Sequence, residues 1–237
     1  MLFLSETKMD KRRLDWFRWK LKLTNMVAKD CKGQSGGLAL FWRNGIDLNV
    51  GLMSRYHIDA TITQPDGFKW RFTGTYGDPK TECRQKTWRL MRLIKHHSEL
   101  PWLCAGDFNE ILFEFEKEGG APKSQSQMDK FRETLEDCGL HDLGFLGDPF
   151  TWRNNSHCSS TYIKKRLDRA VATIEWCNHF PNYKVINGDP GHSDHRPIII
   201  YVDEERDNFV TRKESRTFHF EARWLEEEKC DEVVHNA

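Results

Sequence analysis

A chain of 237 residues, 38% hydrophobic and 30% charged, is long enough for one large domain or two small ones with a well-buried core. No stretch approaches the roughly 18 uninterrupted apolar residues of a membrane helix, and MLFLSETKMDKRR puts its short apolar run before its charges, the reverse of a secretory signal, so a soluble intracellular protein with no membrane partner is expected. Basic and acidic residues balance at 36 each, yet 11 acids against 6 bases fall from residue 203 onward; the remaining body is mildly basic, which suits a polyanionic substrate and excludes a protein that coats DNA.

LFL at 2–4, GGLALFW at 36–42, DLNVGLM at 47–53, HIDATITQ at 57–64, KWRFTGTYG at 69–77 and PWLCAGDFNEI at 101–111 read as strands between Gly, Pro and Asp punctuation. Period-two alternation supports several of them, as at Ile58, Ala60 and Ile62. ECRQKTWRLMRLIKHH at 82–97 reads as an exposed amphipathic helix with Trp88, Leu90, Met91 and Ile94 as its apolar stripe. A second helix is predicted at 125–138, with Met128, Phe131, Leu135 and Cys138 on one face and Gly139 just past its end. FTWRN (150–154), KRLDRAVA (165–172), YKVING (183–188) and RPIIIYV (196–202) give the later strands. Irregular alternation of strands and helices, with hairpin-like runs between, argues for an α/β sandwich with mixed sheets. Residues 1–202 form the expected domain; 203–237 read as an acidic linker toward something further. Seven cysteines, scattered without a CxxC pair, suggest neither a disulfide framework nor a thiolate zinc site and fit a reducing compartment.

The most informative segment is WLCAGDFNE, where an apolar strand ending in Gly106 delivers Asp107 and Asn109 on one side, about 6.6 Å apart if extended. A carboxylate there can orient or deprotonate a water, and a carboxamide can donate to a phosphoryl oxygen; a plain β-turn is the alternative. In GHSDHRPI, Asp194 offers a divalent-metal ligand and His195 an imidazole for a phosphate. Zinc on His192 and His195 lacks a third nitrogen or sulfur ligand at suitable spacing, with His96 and His97 on a helix surface. Asp168 in RLDRA can orient that imidazole or, alternatively, form a surface salt bridge. Glu6 in LSETK is a hard oxygen ligand suited to magnesium, and Tyr76 in TGTYG either bonds a phosphate or packs on its turn. Trp152 is placed near nucleic acid, by stacking.

The order LSETK, GGLALFW, TGTYG, GDFNE, FTW, RLDR and SDHRPI resembles the endonuclease/exonuclease/phosphatase superfamily. Within it, GDFNEIL, EKEGG at 116–120, CGLHDLGFLGDPFTW at 138–152, RLDRAVA with Trp176 soon after, and FHFEARW resemble the apurinic-endonuclease-like domain of plant LINE-type non-LTR retrotransposons. The resemblance implies a four-layer, DNase I-like α/β sandwich of two packed mixed sheets flanked by helices. It implies Glu6 and Asp194 as metal ligands for Mg2+ or Mn2+, Tyr76 and Asn109 as phosphate contacts, and Asp107 as the residue that positions water. His195 would meet the scissile phosphate, supported by Asp168, and Thr151, Trp152 and Asn154 of the FTW loop would touch DNA. The implied reaction nicks DNA so that the new 3′-hydroxyl primes a following reverse transcriptase domain, in the nucleus. Family members begin with a strand carrying an Asn, commonly in a WNxRG stretch, and this chain starts after that point; a fragment is therefore expected. Two further readings remain beside the endonuclease: an inactive remnant of the domain, and a phosphatase acting on a soluble phosphoester.

Overall fold

A computed structural model describes residues 1–31, 36–156, 158–191 and 193–202; the predicted linker at 203–237 and the histidine at 192 lie outside the described residues. In chain order the elements are β1 (Leu2–Ser5), α1 (Lys11–Lys20), β2 (Asn25–Lys29), β3 (Leu38–Trp42), β4 (Asp47–Met53), β5 (His57–Thr63), β6 (Lys69–Tyr76), α2 (Arg84–Lys95) and β7 (Trp102–Asp107). Then come β8 (Lys117–Glu118), α3 (Gln125–Asp137), β9 (His141–Asp142), β10 (Leu146–Gly147), β11 (Trp152–Arg153), β12 (Lys164–Lys165), β13 (Asp168–Ala172), α4 (Ile174–His179), β14 (Lys184–Asn187) and β15 (Ile198–Tyr201).

The strands alternate apolar residues between two faces, and this alternation builds the layers. One six-stranded sheet runs β4-β5-β6-β7-β13-β9, antiparallel except for the parallel β6–β7 pair. From β7 and β13, Leu103, Ala105, Ala170 and Ala172 enter one core with Leu38 and Leu40 of β3, Phe72 of β6 and Trp176 of α4. Their strand neighbours Trp102, Cys104 and Val171 face the other way, onto Trp88, Met91 and Ile94 of α2 and Phe131 and Leu135 of α3. On β3, Ala39 and Phe41 likewise turn outward to meet Leu14, the one buried residue of α1. Helices, sheet, sheet and helix thus follow one another, the four-layer α/β arrangement expected.

Two features differ from the expectation. The second β layer is two three-stranded sheets, β1-β3-β2 and β10-β14-β15, and a further small sheet, β11-β12-β8, folds beside the first. The run at 165–172 is also broken after Lys165, because Arg166 turns inward to bond Glu116 and Asp142, and strand pairing resumes only at Asp168. Both predicted helices form, the second followed by Gly139 at φ 65°. The first ends at Lys95, so His96 and His97 sit just beyond it and are exposed.

Candidate active site

Three neighbouring strands bring the first side chains together through their register. Tyr76 pairs with Asp107 across the parallel β6–β7 ladder, and Asp107 pairs with Asp168 across the antiparallel β7–β13 ladder. β7 stops at Asp107 because the chain turns there. Asn109 takes a left-handed φ of 55°, its backbone N–H donates to Asp107 Oδ1 (2.7 Å) and its carboxamide Nδ2 donates to Asp107 Oδ2 (2.8 Å) and Gly77 O (2.9 Å). The turn and the site are one structure, so the extended spacing read from the sequence is replaced by direct contact. The backbone N–H and one carboxamide hydrogen of Asn109 hold Asp107, and the other carboxamide hydrogen is taken by Gly77 O.

His195 arrives from the second β layer. It forms a bridge with Trp152, while Arg153 N donates to Asp194 O (3.1 Å) and Arg196 N to Thr151 O (2.7 Å). This zipper sets His195 Nδ1 at 2.7 Å from Asp168 Oδ2. Among the described residues, Asp107, Asp168 and His195 are the one group of three potential ligand side chains whose atoms all lie within 4.8 Å of one another. Asp168 is therefore a buried partner of the imidazole and not the surface ion pair that was its alternative.

Burial raises the pKa of Asp107, and the charge of Asp168 raises it further, although His195 opposes. Burial disfavours a charged His195, but the hydrogen bond and charge of Asp168, with the charges of Asp107 and Asp194, outweigh it and hold the imidazolium up to about 9. Tyr76 is 5% exposed and donates its hydroxyl to Glu6 Oε1. Burial first, and that carboxylate second, push the phenol upward, so it remains a donor. Glu6 itself follows β1 at φ 51°, a second strained non-glycine backbone in the same cleft.

The remaining predicted residues divide. Glu6 and Asp194 both line a cleft of about 270 Å³ with Tyr76, Asp107, Asn109 and His195. Neither belongs to the three-residue group. Asp194 is exposed, and its Oδ2 accepts from Trp152 Nε1 at 3.0 Å. The carboxylates of Glu6, Asp107, Asp168 and Asp194 gather around one imidazole, and hard oxygen donors of this kind fit a divalent cation such as magnesium. Trp152 is not a free stacking platform: it packs against the Ile111, Met128 and Leu167 cluster and carries Lys165 Nζ 5.2 Å from its ring centroid. Thr151 must be corrected outright. It is 0% exposed, and its hydroxyl accepts the backbone N–H groups of Leu167 and Asp168 (both 2.9 Å), so it carries β13 from beneath and cannot touch DNA. Asn154 donates to Thr161 O (2.8 Å) and accepts from Ile163 N (3.0 Å), closing its own loop.

Sequence reasoning missed the cations of the cleft, Arg84, Lys117, Lys123 and Lys165, and the buried Glu110 that binds two of them. Glu110 stood within GDFNE and Lys117 within EKEGG, but only the fold brings β8, β12 and the start of α2 to one edge.

Two sheets packed face to face, with carboxylates and an imidazole at one edge, place the molecule among the α/β-sandwich hydrolases. The chain belongs to the endonuclease/exonuclease/phosphatase family, whose model matches residues 1–195. Solved structures agree on the fold at low identity. A 3′ phosphatase, NExo, from Neisseria, bound to product DNA hairpin, is 18% identical over 86% of this chain and 88% of its own, with a TM-score of 0.65. The endonuclease domain of TRAS1, a telomere-specific non-LTR retrotransposon, is 14% identical over 87% of this chain and 100% of its own, at 0.60. An AP endonuclease from Archaeoglobus fulgidus is 17% identical over 86% and 88%, at 0.66. No curated protein matches significantly, and no described helix is long and apolar enough to cross a membrane.

Proposed function

We propose that this chain is a metal-dependent phosphodiesterase that nicks DNA and derives from a LINE-type retrotransposon. The observation that carries the reading is the Asp107–Asp168–His195 group, whose ligand atoms lie within 4.8 Å of one another and of which Asp107 and His195 line the cleft. Asp107, buried and raised, is suited to accept a proton from a water that it positions through the lone pairs Asn109 leaves open. Asp168 occupies Nδ1 of His195, which keeps Nε2 as the proton-bearing donor toward a phosphoryl oxygen at neutral pH. Glu6, anchored by Tyr76, and Asp194, anchored by Trp152, are the carboxylates that would hold Mg2+ or Mn2+. When bound, the ion would neutralise charge on the phosphoryl oxygens. The retrotransposon origin rests on the ordered motifs of the sequence, and the fold is one that the TRAS1 domain also uses.

The test is nicking of supercoiled plasmid with magnesium, with EDTA as the control. Activity is expected to vanish in EDTA and to fall roughly 10²- to 10⁴-fold in Asp107→Ala and in His195→Ala, with circular dichroism unchanged. An active His195→Ala variant would sink the mechanism. No nicking by the chain itself, beside normal release of phosphate from a phosphate-terminated oligonucleotide, would favour the phosphatase reading instead.

A further inference from the structure

The cleft has a second half that the chemistry above does not use. Each nitrogen of Arg84 already has a partner: its Nη1 meets Glu110 Oε2 at 2.7 Å, and its other nitrogens donate to the carbonyls of Asp78 and Pro79 (both 3.2 Å). Lys123 Nζ shares the same carboxylate, 3.1 Å from Glu110 Oε1, and Glu110 is 2% exposed. One buried carboxylate thus serves two cations. Lys117 Nζ is held by the carbonyl oxygens of Gly119 (2.5 Å) and Gly120 (3.3 Å), which orient it without neutralising it. Lys165 has no carboxylate partner among the described residues; its ammonium lies over Trp152, the same indole whose N–H holds Asp194. Burial lowers the Lys165 pKa, and the charges of Lys123, Arg84 and Lys117 lower it further, while Glu110 alone opposes them. A half-buried ammonium facing other cations, one indole's width from a carboxylate of the reaction site, lacks an anion.

We propose that Lys165, with Lys117 and Lys123, forms a second phosphate subsite that takes an internal phosphodiester adjoining the scissile one in a polynucleotide. This rests on the phosphodiesterase reading and deepens it: single-strand charge recurs at every nucleotide, so a chain whose one phosphate lies by His195 must place its neighbours along the same cleft. The subsite makes a polynucleotide, and not a small phosphoester, the substrate class.

The experiment measures binding of a labelled 20-base-pair duplex in EDTA by fluorescence anisotropy over a range of salt, beside steady-state nicking in magnesium. Lys165→Gln is expected to weaken duplex binding about tenfold and to reduce the salt slope by about one, with Lys165→Arg close to wild type. In nicking, KM should rise about tenfold with kcat within twofold, and the thermal midpoint should be unchanged. Equal binding by Lys165→Gln and wild type overturns the subsite, as does a loss confined to duplexes with terminal phosphates, which would make it a monoester site. Lys165-dependent binding without any nicking by wild type would overturn the phosphodiesterase reading and leave the subsite standing.

Discussion

Thr151 shows what a single hydroxyl does here, since one oxygen accepts two backbone N–H groups at the entry of the strand that carries Asp168. The isosteric change Thr151→Val leaves both donors buried and unmet, at about 1–3 kcal/mol each. We expect a loss of about 2–6 kcal/mol in urea unfolding, recovery in Thr151→Ser, and an unaltered KM for DNA; a raised KM with full stability would restore the DNA-contact role. His57 supplies the clearest pH dependence. Burial lowers its pKa to about 4, with Asp59 opposing, and its Nδ1 is tied to Ser54 Oγ at 2.8 Å. A depressed folded pKa means that stability is complete above the unfolded value near 6.5 and is lost as pH falls toward 4, by up to about 3 kcal/mol. His195, raised to about 9, acts in the opposite sense and only above 6.5. His57 should therefore lower the thermal midpoint between pH 6.5 and 4, with the raised Asp107 acting against it, and His57→Asn should remove the His57 contribution to that slope; an unchanged slope would exclude His57 as a source. The site's carboxylates and imidazole were legible because each stood in a short motif at a strand end. Thr151 was misplaced because a loop's polar side chains look alike in sequence whether they face solvent or staple the backbone.

β7 is the element on which the site depends, and its pairing with β6 has no room to vary. Gly106 adopts φ 141°, and a Cβ there would lie 2.1 Å from the carbonyl oxygen of Thr75. Gly106→Ala must push β6 from β7 and separate Tyr76 from Asp107. We expect destabilisation of more than about 3 kcal/mol, seen as a shifted urea midpoint, together with loss of nicking; a variant of wild-type stability would mean that the ladder tolerates a slip. β13 is fixed from its other side by Arg169, whose guanidinium is fully buried between Glu116 (2.8 Å) and Asp142 (2.7 Å). Glu116→Gln leaves a buried cation half-matched and should cost about 3 kcal/mol by the same measurement. Strands such as β4 and β5 were readable because one face is apolar at every second residue. α1 was not: KRRLDWFRWK buries only Leu14 and so lacks an apolar stripe, although Asp10 caps it by accepting from Arg13 N at 2.9 Å. β2, β8, β9 and β10 escaped because their pairing is set by distant partners, as Lys117 of β8 is by Lys165.

Across the whole molecule the layers and the charge distribution point to the same edge. The sequence's alternation predicted packed mixed sheets but not that the second layer divides into two three-stranded sheets, because no local pattern encodes which strands become neighbours. Net charge was equally uninformative: the chain balances at 36 of each sign, yet the cleft sets Arg84, Lys117, Lys123 and Lys165 against Glu110 at the basic end. Cations elsewhere are often neutralised at short range, as Lys164 is by Glu118 (2.8 Å) and Arg92 by Asp137 (2.6 Å). Duplex affinity should then come from few phosphate contacts, on the order of three. The logarithm of the binding constant should fall with the logarithm of salt at a slope of about −3, far shallower than the roughly −10 of a repressor that grips the backbone broadly. A slope near −8 in the anisotropy titration would mean that basic residues outside the cleft dominate binding. A slope near −3 that loses about one unit in Lys165→Gln would locate a third of the electrostatic contact at a single ammonium, beside the carboxylates that the sheets bring to the same edge.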